Sequence, residues 1–206
     1  MSAQVDRFVH DRLPPAAQLP VFRYDLPELR LPDQLNLVEE LLDKAAAKGF
    51  GDKPMLRSPQ GTLTYAQAAV EVNRIAQVLV EDLGLVPGNR VLLRGGNSVA
   101  MALAWLAVVK AGLIAVARMP LLRPKELGDI IEKAQPVAAL CDGRLLDELA
   151  VAQREHPVLA TVIAFNKPDA EDSLSARAAK KSGVFTACPT ASDDIALLAF
   201  TSGTTG

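Results

Sequence analysis

Residues 90–117 read RVLLRGGNSVAMALAWLAVVKAGLIAVA, and this stretch decides the fold. A short apolar strand, Val91–Leu93, exits through Gly95-Gly96; Ser98 then caps an apolar helix over Val99–Ala111, Gly112 ends it, and a second strand, Leu113–Ala117, follows. A strand, a helix and a strand in immediate succession require a crossover connection, which lays the two strands parallel. The alternation continues with helix Pro124–Ala134, strand Val137–Cys141, helix Arg144–Arg154 and strand Thr161–Phe165. Short apolar strands between helices of this length belong to a sheet covered on both sides. The predicted fold class is therefore α/β: a layered, mostly parallel sheet with helices on both faces. Gly95-Gly96 is read as a tight turn into the capped helix and is given no site role.

Upstream of this stretch, five of the fourteen prolines fall between Pro14 and Pro32, which excludes a helix there. Residues 1–35 are predicted to form an extended, Pro-rich N-terminal arm that lies over the domain, with its leucines and Phe22 as anchors. Residues 36–206 form the α/β portion. Asn36 is placed as the N-cap of a first helix, with Glu39 at the reciprocal position, Leu37, Val38, Leu41, Leu42 and Ala45 on its apolar face and Gly49 beyond its end. Pro54–Arg57 and Gly61–Leu63 flank Ser58-Pro59-Gln60 as a hairpin. Thr64 and Gln67 repeat the capping pattern ahead of a helix with Ala68, Val72, Ile75, Leu79 and Leu83 on one face, ended by Gly84. Downstream, Asn166 to Thr190 reads as a surface excursion with at most one short helix. Ile195–Phe200 then resumes the sheet.

Composition narrows the function. At 206 residues, 50% hydrophobic and 22% charged, the chain has enough apolar mass for one substantial domain with a core. A net charge of −2 without any Lys/Arg block argues against nucleic-acid and anionic-membrane partners and leaves small molecules. Met1 to Arg12 lacks an apolar signal core, and the longest apolar tract, Val99 to Val109, is too short to span a bilayer, so the expected location is cytoplasmic. Cys141 and Cys188 form no Cys-x-x-Cys pair, and His10 and His156 stand in unrelated contexts. Both cysteines are taken as structural and both histidines as solvated; no metal site and no catalytic residue is assigned. Neither a Gly-x-x-x-x-Gly-Lys-[Ser/Thr] loop nor a Gly-x-Gly-x-x-Gly fingerprint occurs.

What remains is the segment behind the last strand, Thr201-Ser202-Gly203-Thr204-Thr205-Gly206. Gly203 and Gly206 can take backbone angles closed to other residues, so successive N–H groups can turn toward one anion while the four hydroxyls donate further bonds. That is a neutral cradle for a polyphosphate. A hydroxyl-and-glycine stretch can equally be a flexible turn or linker. With Asp193-Asp194 upstream, all six positions resemble the phosphate-binding signature of the adenylate-forming enzymes: acyl-CoA synthetases, peptide-synthetase adenylation domains and luciferases. Leu63-Thr64-Tyr65-Ala66-Gln67, Val86-Pro87-Gly88-Asn89-Arg90-Val91 and Leu106-Ala107-Val108-Val109-Lys110-Ala111-Gly112 resemble three further landmarks of that family, in order. Asn89 departs from the Asp more often seen after the glycine. Leu13-Pro14-Pro15, Leu26-Pro27-Glu28-Leu29 and Met119-Pro120-Leu121-Leu122-Arg123 look most like the 2-aminobenzoate and benzoate CoA ligases.

The resemblance implies an AMP-forming acid–CoA ligase that uses ATP, Mg2+ and coenzyme A. A carboxylate attacks the α-phosphate to give an acyl adenylate and pyrophosphate, and the thiol of coenzyme A then displaces AMP. It assigns ATP phosphate binding to Thr201, Ser202, Gly203, Thr204, Thr205 and Gly206. The family's acyl pocket, ribose-binding Asp, magnesium-coordinating Glu and C-terminal lysine would all follow Gly206. The expectation is thus an N-terminal fragment whose partners in the parent enzyme are ATP, a carboxylic acid and coenzyme A, and which by itself is inactive and binds ATP weakly. The alternative is a non-catalytic α/β binding or interaction module with a relic phosphate loop. An apolar last strand without a charged tail also leaves a surface through which the chain could form a homodimer.

Overall fold

The computed structural model describes residues 1–167 and 169–200, so the expected phosphate loop, Thr201 to Gly206, lies outside the described residues. The hairpin forms as expected, with β1 (Pro54–Ser58) antiparallel to β2 (Gly61–Thr64). A separate sheet contains β3 (Arg90–Arg94), β4 (Ile114–Arg118), β5 (Ala138–Asp142) and β6 (Thr161–Phe165) in the order β4-β3-β5-β6. All of its ladders are parallel. The intervening helices are α1 (Tyr65–Gln77), α2 (Val99–Lys110), α3 (Pro124–Ala134), α4 (Leu146–Glu155) and α5 (Leu174–Ala178).

The period of two along each strand sorts side chains into two cores, one on each face. Val91, Leu93, Ala115, Leu140, Ile163 and Phe165 pack with α1, α2 and α5, whereas Leu92, Val116, Ala139 and Cys141 pack with α3 and α4. Helices thus cover both faces, as the strand composition demands. Local chemistry sets the helix starts. Thr64 accepts from the Gln67 amide and the Gln67 side chain accepts from the Thr64 amide, while Ser98 accepts from the Met101 amide. The Ala68, Val72, Ile75 and Leu79 stripe is buried throughout.

Several expectations need correction. Asn36 does cap the first helical run, accepting from the amides of Val38 and Glu39, and its Nδ2 also donates to the carbonyls of Lys110 and Cys188. The run proceeds in wide turns, Glu39–Asp43 and Ala46–Phe50, so Gly49 (φ 87°) lies inside it rather than beyond it. Only Val38 and Leu42 of the expected face are fully buried, while Leu37 and Leu41 are exposed. The Pro-rich arm is extended, with single turns at Ala16–Gln18 and Pro27–Leu29, but its side chains do not anchor it. Phe22 is 72% exposed and stacks on Tyr24 instead. The docked parts are residues 2–12 and the arm's end, where Gln34 bridges Ala191 and Leu35 exchanges hydrogen bonds with Thr190. The excursion over 166–190 is more than surface, because Leu174 and Ala178 of α5 enter the core beside β6.

Asn89 acquires a reason. Its Oδ1 accepts from the Val86 amide and closes the turn, and its Nδ2 donates to the Asp6 carboxylate at 2.8 Å. Burial works against ionisation of Asp6, but the Phe8 amide, Arg90 and Asn89 together hold its carboxyl below the ordinary range. An aspartate at 89 would set two carboxylates against each other. Asn89→Asp is therefore expected to lose on the order of 1 kcal/mol at pH 7. Urea midpoints should show that loss shrinking as the pH falls toward 4, where one of the two carboxyls takes up a proton.

Candidate functional site

Open parallel sheets place ligands at the carboxyl ends of their strands, and most often where the strand order reverses. Here the chain passes from β3 to β4 on one side and then to β5 on the other, so the reversal lies between β3 and β5. The loops that leave these strands are Gly95–Ser98, Met119–Arg123, the turn Gly143–Leu145 and Asn166.

Arg94, at the end of β3, ties three of these exits together. Its side chain has no exposed surface. Nη1 donates to the Leu145 carbonyl at 2.6 Å, and Nη2 donates to the carbonyls of Pro120 and Leu122 and to Glu148 at 2.6 Å. Glu148 also accepts from Arg123 at 2.6 Å, and Arg94 followed by Arg123 holds its carboxyl below the usual carboxylate range. Asp142, which ends β5 with 1% of its side chain exposed, accepts from the Arg144 amide, from Arg144 Nε and Nη2 and from Asn166 Nδ2. Arg144 chiefly, then Asn166, lowers its pKa strongly against the opposing effect of burial. Gly95 fits the same corner by lacking a side chain, since a Cβ there would stand 2.6 Å from Phe165 Cζ.

A groove of about 940 Å³ runs beside these exits, between the β1–β2 tip at Ser58 and Gln60 and the start of α2 at Asn97 and Ser98, with Arg144 and Asn166 at its end. Its lining mixes apolar Leu63, Val99 and Leu103 with hydroxyl and amide side chains and one cation, Arg144.

Asp142 has a measurable consequence. A carboxylate whose pKa is depressed on folding stabilises the native state above the unfolded value, about 3.9, and that stabilisation is lost as the pH falls through the native pKa. Urea titrations between pH 7 and 3 should show stability falling below about pH 4, and Asp142→Asn should flatten that fall. An unchanged slope in the variant would remove Asp142 from the acid response.

The approach to Thr201 lies within the described residues. Ile195–Phe200 is not a full strand; a single parallel bridge joins Leu197 to Ala115 of β4, with the Ala115 amide donating to Ala196 and the Leu198 amide donating to Ala115. The chain nevertheless travels with β4 toward its carboxyl end. There Arg118 Nη2 donates to the Leu198 carbonyl at 2.9 Å and the guanidinium lies 4.3 Å over the Phe200 ring, with burial pulling its pKa down. Asp194, just upstream, is fastened to the amino terminus through Ser2 and the Ala3 amide.

Sequence reasoning picked out none of Arg94, Arg118 and Asp142, and named Asp194 only as the residue upstream of the signature, without its partners. The available signal was an arginine at each end of β3, inside a run otherwise apolar. His10 is half-buried against Gln4 and Asp194 rather than solvated. Cys141 is a buried core thiol with its pKa pushed up to about 12 by burial, and burial also raises that of Cys188. Among the described residues no helix is long and apolar enough to cross a membrane.

Known proteins resemble this chain in sequence and in fold. The family described as "AMP-binding enzyme" matches residues 43–206. The benzoate–CoA ligase of Thauera aromatica is 28% identical over 180 residues, covering 87% of this chain and 34% of that protein. The salicyl-AMP ligase / salicyl-S-ArCP synthetase of Mycobacterium tuberculosis is 33% identical over 171 residues, 80% of this chain and 29% of that protein. Among solved structures, the anthranilate CoA ligase AuaEII in complex with anthranoyl-AMP superposes with a TM-score of 0.78 at 24% identity, over 85% of this chain and 33% of that one. ATP-bound MatB from Rhodopseudomonas palustris does so at 0.70 and 33% identity, over 83% and 33%. The chain spans about a third of the length of the curated relatives it matches.

Proposed function

The chain belongs to the AMP-binding enzyme family, and from that premise we propose that it is part of an ATP-dependent, AMP-forming acid–CoA ligase whose acid is aromatic, with 2-aminobenzoate and benzoate as the first candidates. The observation that carries the proposal is the family match across 43–206, in a chain whose parallel sheet leads, through residues 195–200 along β4, into Thr201-Ser202-Gly203-Thr204-Thr205-Gly206. Relatives that act on benzoate and salicylate support the acid class.

In the first step the hydroxyls of Thr201, Ser202, Thr204 and Thr205 and the amides near Gly203 and Gly206 hold the β- and γ-phosphates. The α-phosphorus is thereby oriented for in-line attack by the carboxylate, and the P–O bond to pyrophosphate breaks. The contribution is positioning and charge stabilisation rather than covalent catalysis. Magnesium would neutralise charge on the nucleotide's phosphates, and the resemblance places the Glu that would coordinate it beyond Gly206. In the second step the coenzyme A thiol, losing its proton, attacks the acyl carbonyl and AMP leaves.

A chain spanning about a third of its relatives does not complete adenylation alone on this reading. Carboxylate-dependent exchange of pyrophosphate into ATP tests both claims. The protein expressed from its complete reading frame should exchange with benzoate or 2-aminobenzoate in preference to a medium-chain fatty acid, and the 206-residue chain should be silent. Preference for the aliphatic acid would refute the acid class. Exchange by the short chain would refute its dependence on further sequence. Silence of the complete protein with every acid, together with no ATP binding, would favour a non-catalytic module.

A further inference from the structure

Residues 195–200 are tied to the sheet by one bridge and by Arg118, and since they lead into Thr201, whatever holds the backbone just upstream bears on their register. The amino terminus supplies that hold. Asp194 has only 3% of its side chain exposed and accepts from Ser2 Oγ, from the Ala3 amide at 3.1 Å and from the Ala191 amide at 2.9 Å, with His10 Nε2 at 3.8 Å. Gln4, itself buried, donates through Nε2 to the Ile195 carbonyl at 2.7 Å and pairs through Oε1 with His10. Two residues further on, the Asp6 amide donates to Pro87 and the Asp6 carboxylate meets Arg90 and Asn89 ahead of β3. Residues 2–6 therefore strap the 191–195 backbone to the body of the domain.

We propose that Asp194 is a positioning residue: by fastening the amino-terminal strap to residues 191–195, it fixes the register of 195–200 against β4 and so places the phosphate-binding segment for a nucleoside triphosphate. The nucleotide part of this inference rests on the function proposed above.

A buried carboxylate needs its donors, and two of those on Asp194 come from the strap. Without them Asp194 must reach water, and the backbone on either side must follow. There is room for that movement, because a cavity of about 170 Å³ lies beneath, bounded by Gln4, Val109, Gly112, Thr190, Asp194 and Ile195.

The test uses Asp194→Ala, Asp194→Asn and Gln4→Ala in the protein from the complete reading frame, with Glu40→Gln as a surface control. Asp194→Ala should raise KM for ATP and slow pyrophosphate exchange by about tenfold, equal to about 1.4 kcal/mol. Thioester formation from preformed acyl adenylate, which needs no triphosphate, should stay within about twofold. Asp194→Asn, which keeps an acceptor, should recover part of the loss, and Gln4→Ala should show a smaller loss of the same kind. Equal losses in both half-reactions would reduce Asp194 to general stability and overturn the proposal. Hydrogen exchange on the 206-residue chain supplies a readout without any activity. In Asp194→Ala the Ala115 and Leu198 amides should exchange faster, while those of β5 are unchanged. Uniform acceleration, or none, would overturn the strap even if the complete protein proved inactive, whereas selective acceleration in an inactive protein would leave the strap standing and remove only its nucleotide role.

Discussion

Arg94→Met is expected to cost about 3–5 kcal/mol of stability, the range for breaking a buried ion pair by removing one partner. Methionine fills much of the space, so the loss comes from what Arg94 leaves behind. The carbonyls of Pro120, Leu122 and Leu145 lose their common donor, and Glu148 keeps only Arg123, which is mostly exposed. Urea denaturation should show the midpoint falling without a change in slope. Glu148→Gln should cost less, since it leaves Arg94 with three carbonyls and a neutral acceptor. A methionine variant as stable as the parent would mean that the exits of β3, β4 and β5 are held by packing rather than by this guanidinium.

Gly88→Ala should be nearly as severe. Gly88 has φ 91°, and a Cβ there would stand 2.3 Å from the Asp6 carbonyl oxygen. Neither side yields without breaking a hydrogen bond, because the Gly88 amide donates to Gly112 while the Asp6 amide donates to Pro87. Strain at positive φ costs about 1–3 kcal/mol; expelling Asp6 from Arg90, whose side chain is 5% exposed, adds a broken buried pair. A total of about 3–5 kcal/mol is expected, with residues 2–12 released and open to proteases. Gly84→Ala is the control. Its φ is 62° with nothing within 4 Å, so it should cost only about 1 kcal/mol. Equal effects at the two positions would mean that backbone strain, not the approach of Asp6, decides the cost.

The order of strands and helices was legible because it rests on local signals. Ser98, Thr64 and Gln67 act within three residues of themselves, and apolar strands between amphipathic helices admit few topologies. The reading of Thr201 to Gly206 rests on residue type and resemblance alone, and those residues lie outside the described ones. Long-range polar pairing was not legible. Arg90 and Arg94 look like misplaced charges in a buried strand until their partners, Ala134 and Glu148, are brought in from 44 and 54 residues away. Asp194 enters the sequence only as a neighbour of the signature, and its partners, Ser2 and Ala3, lie 192 and 191 residues away. Phe22 failed as an anchor for the converse reason: an aromatic between prolines signals burial only if some surface is there to receive it.

The strap also orders events in time. The sheet pairs strands only 23 to 47 residues apart, as Ala138 with Thr161 and Val91 with Ala138, so its partners are all made before residue 194. Ser2 and Ala3 must instead wait for Asp194, 192 and 191 residues later. At ribosomal speeds of about 5–20 residues per second, the amino terminus stays unattached for on the order of tens of seconds after it leaves the ribosome. During that interval residues 2 and 3 are open to proteases. Their protection depends on a residue made 192 positions later.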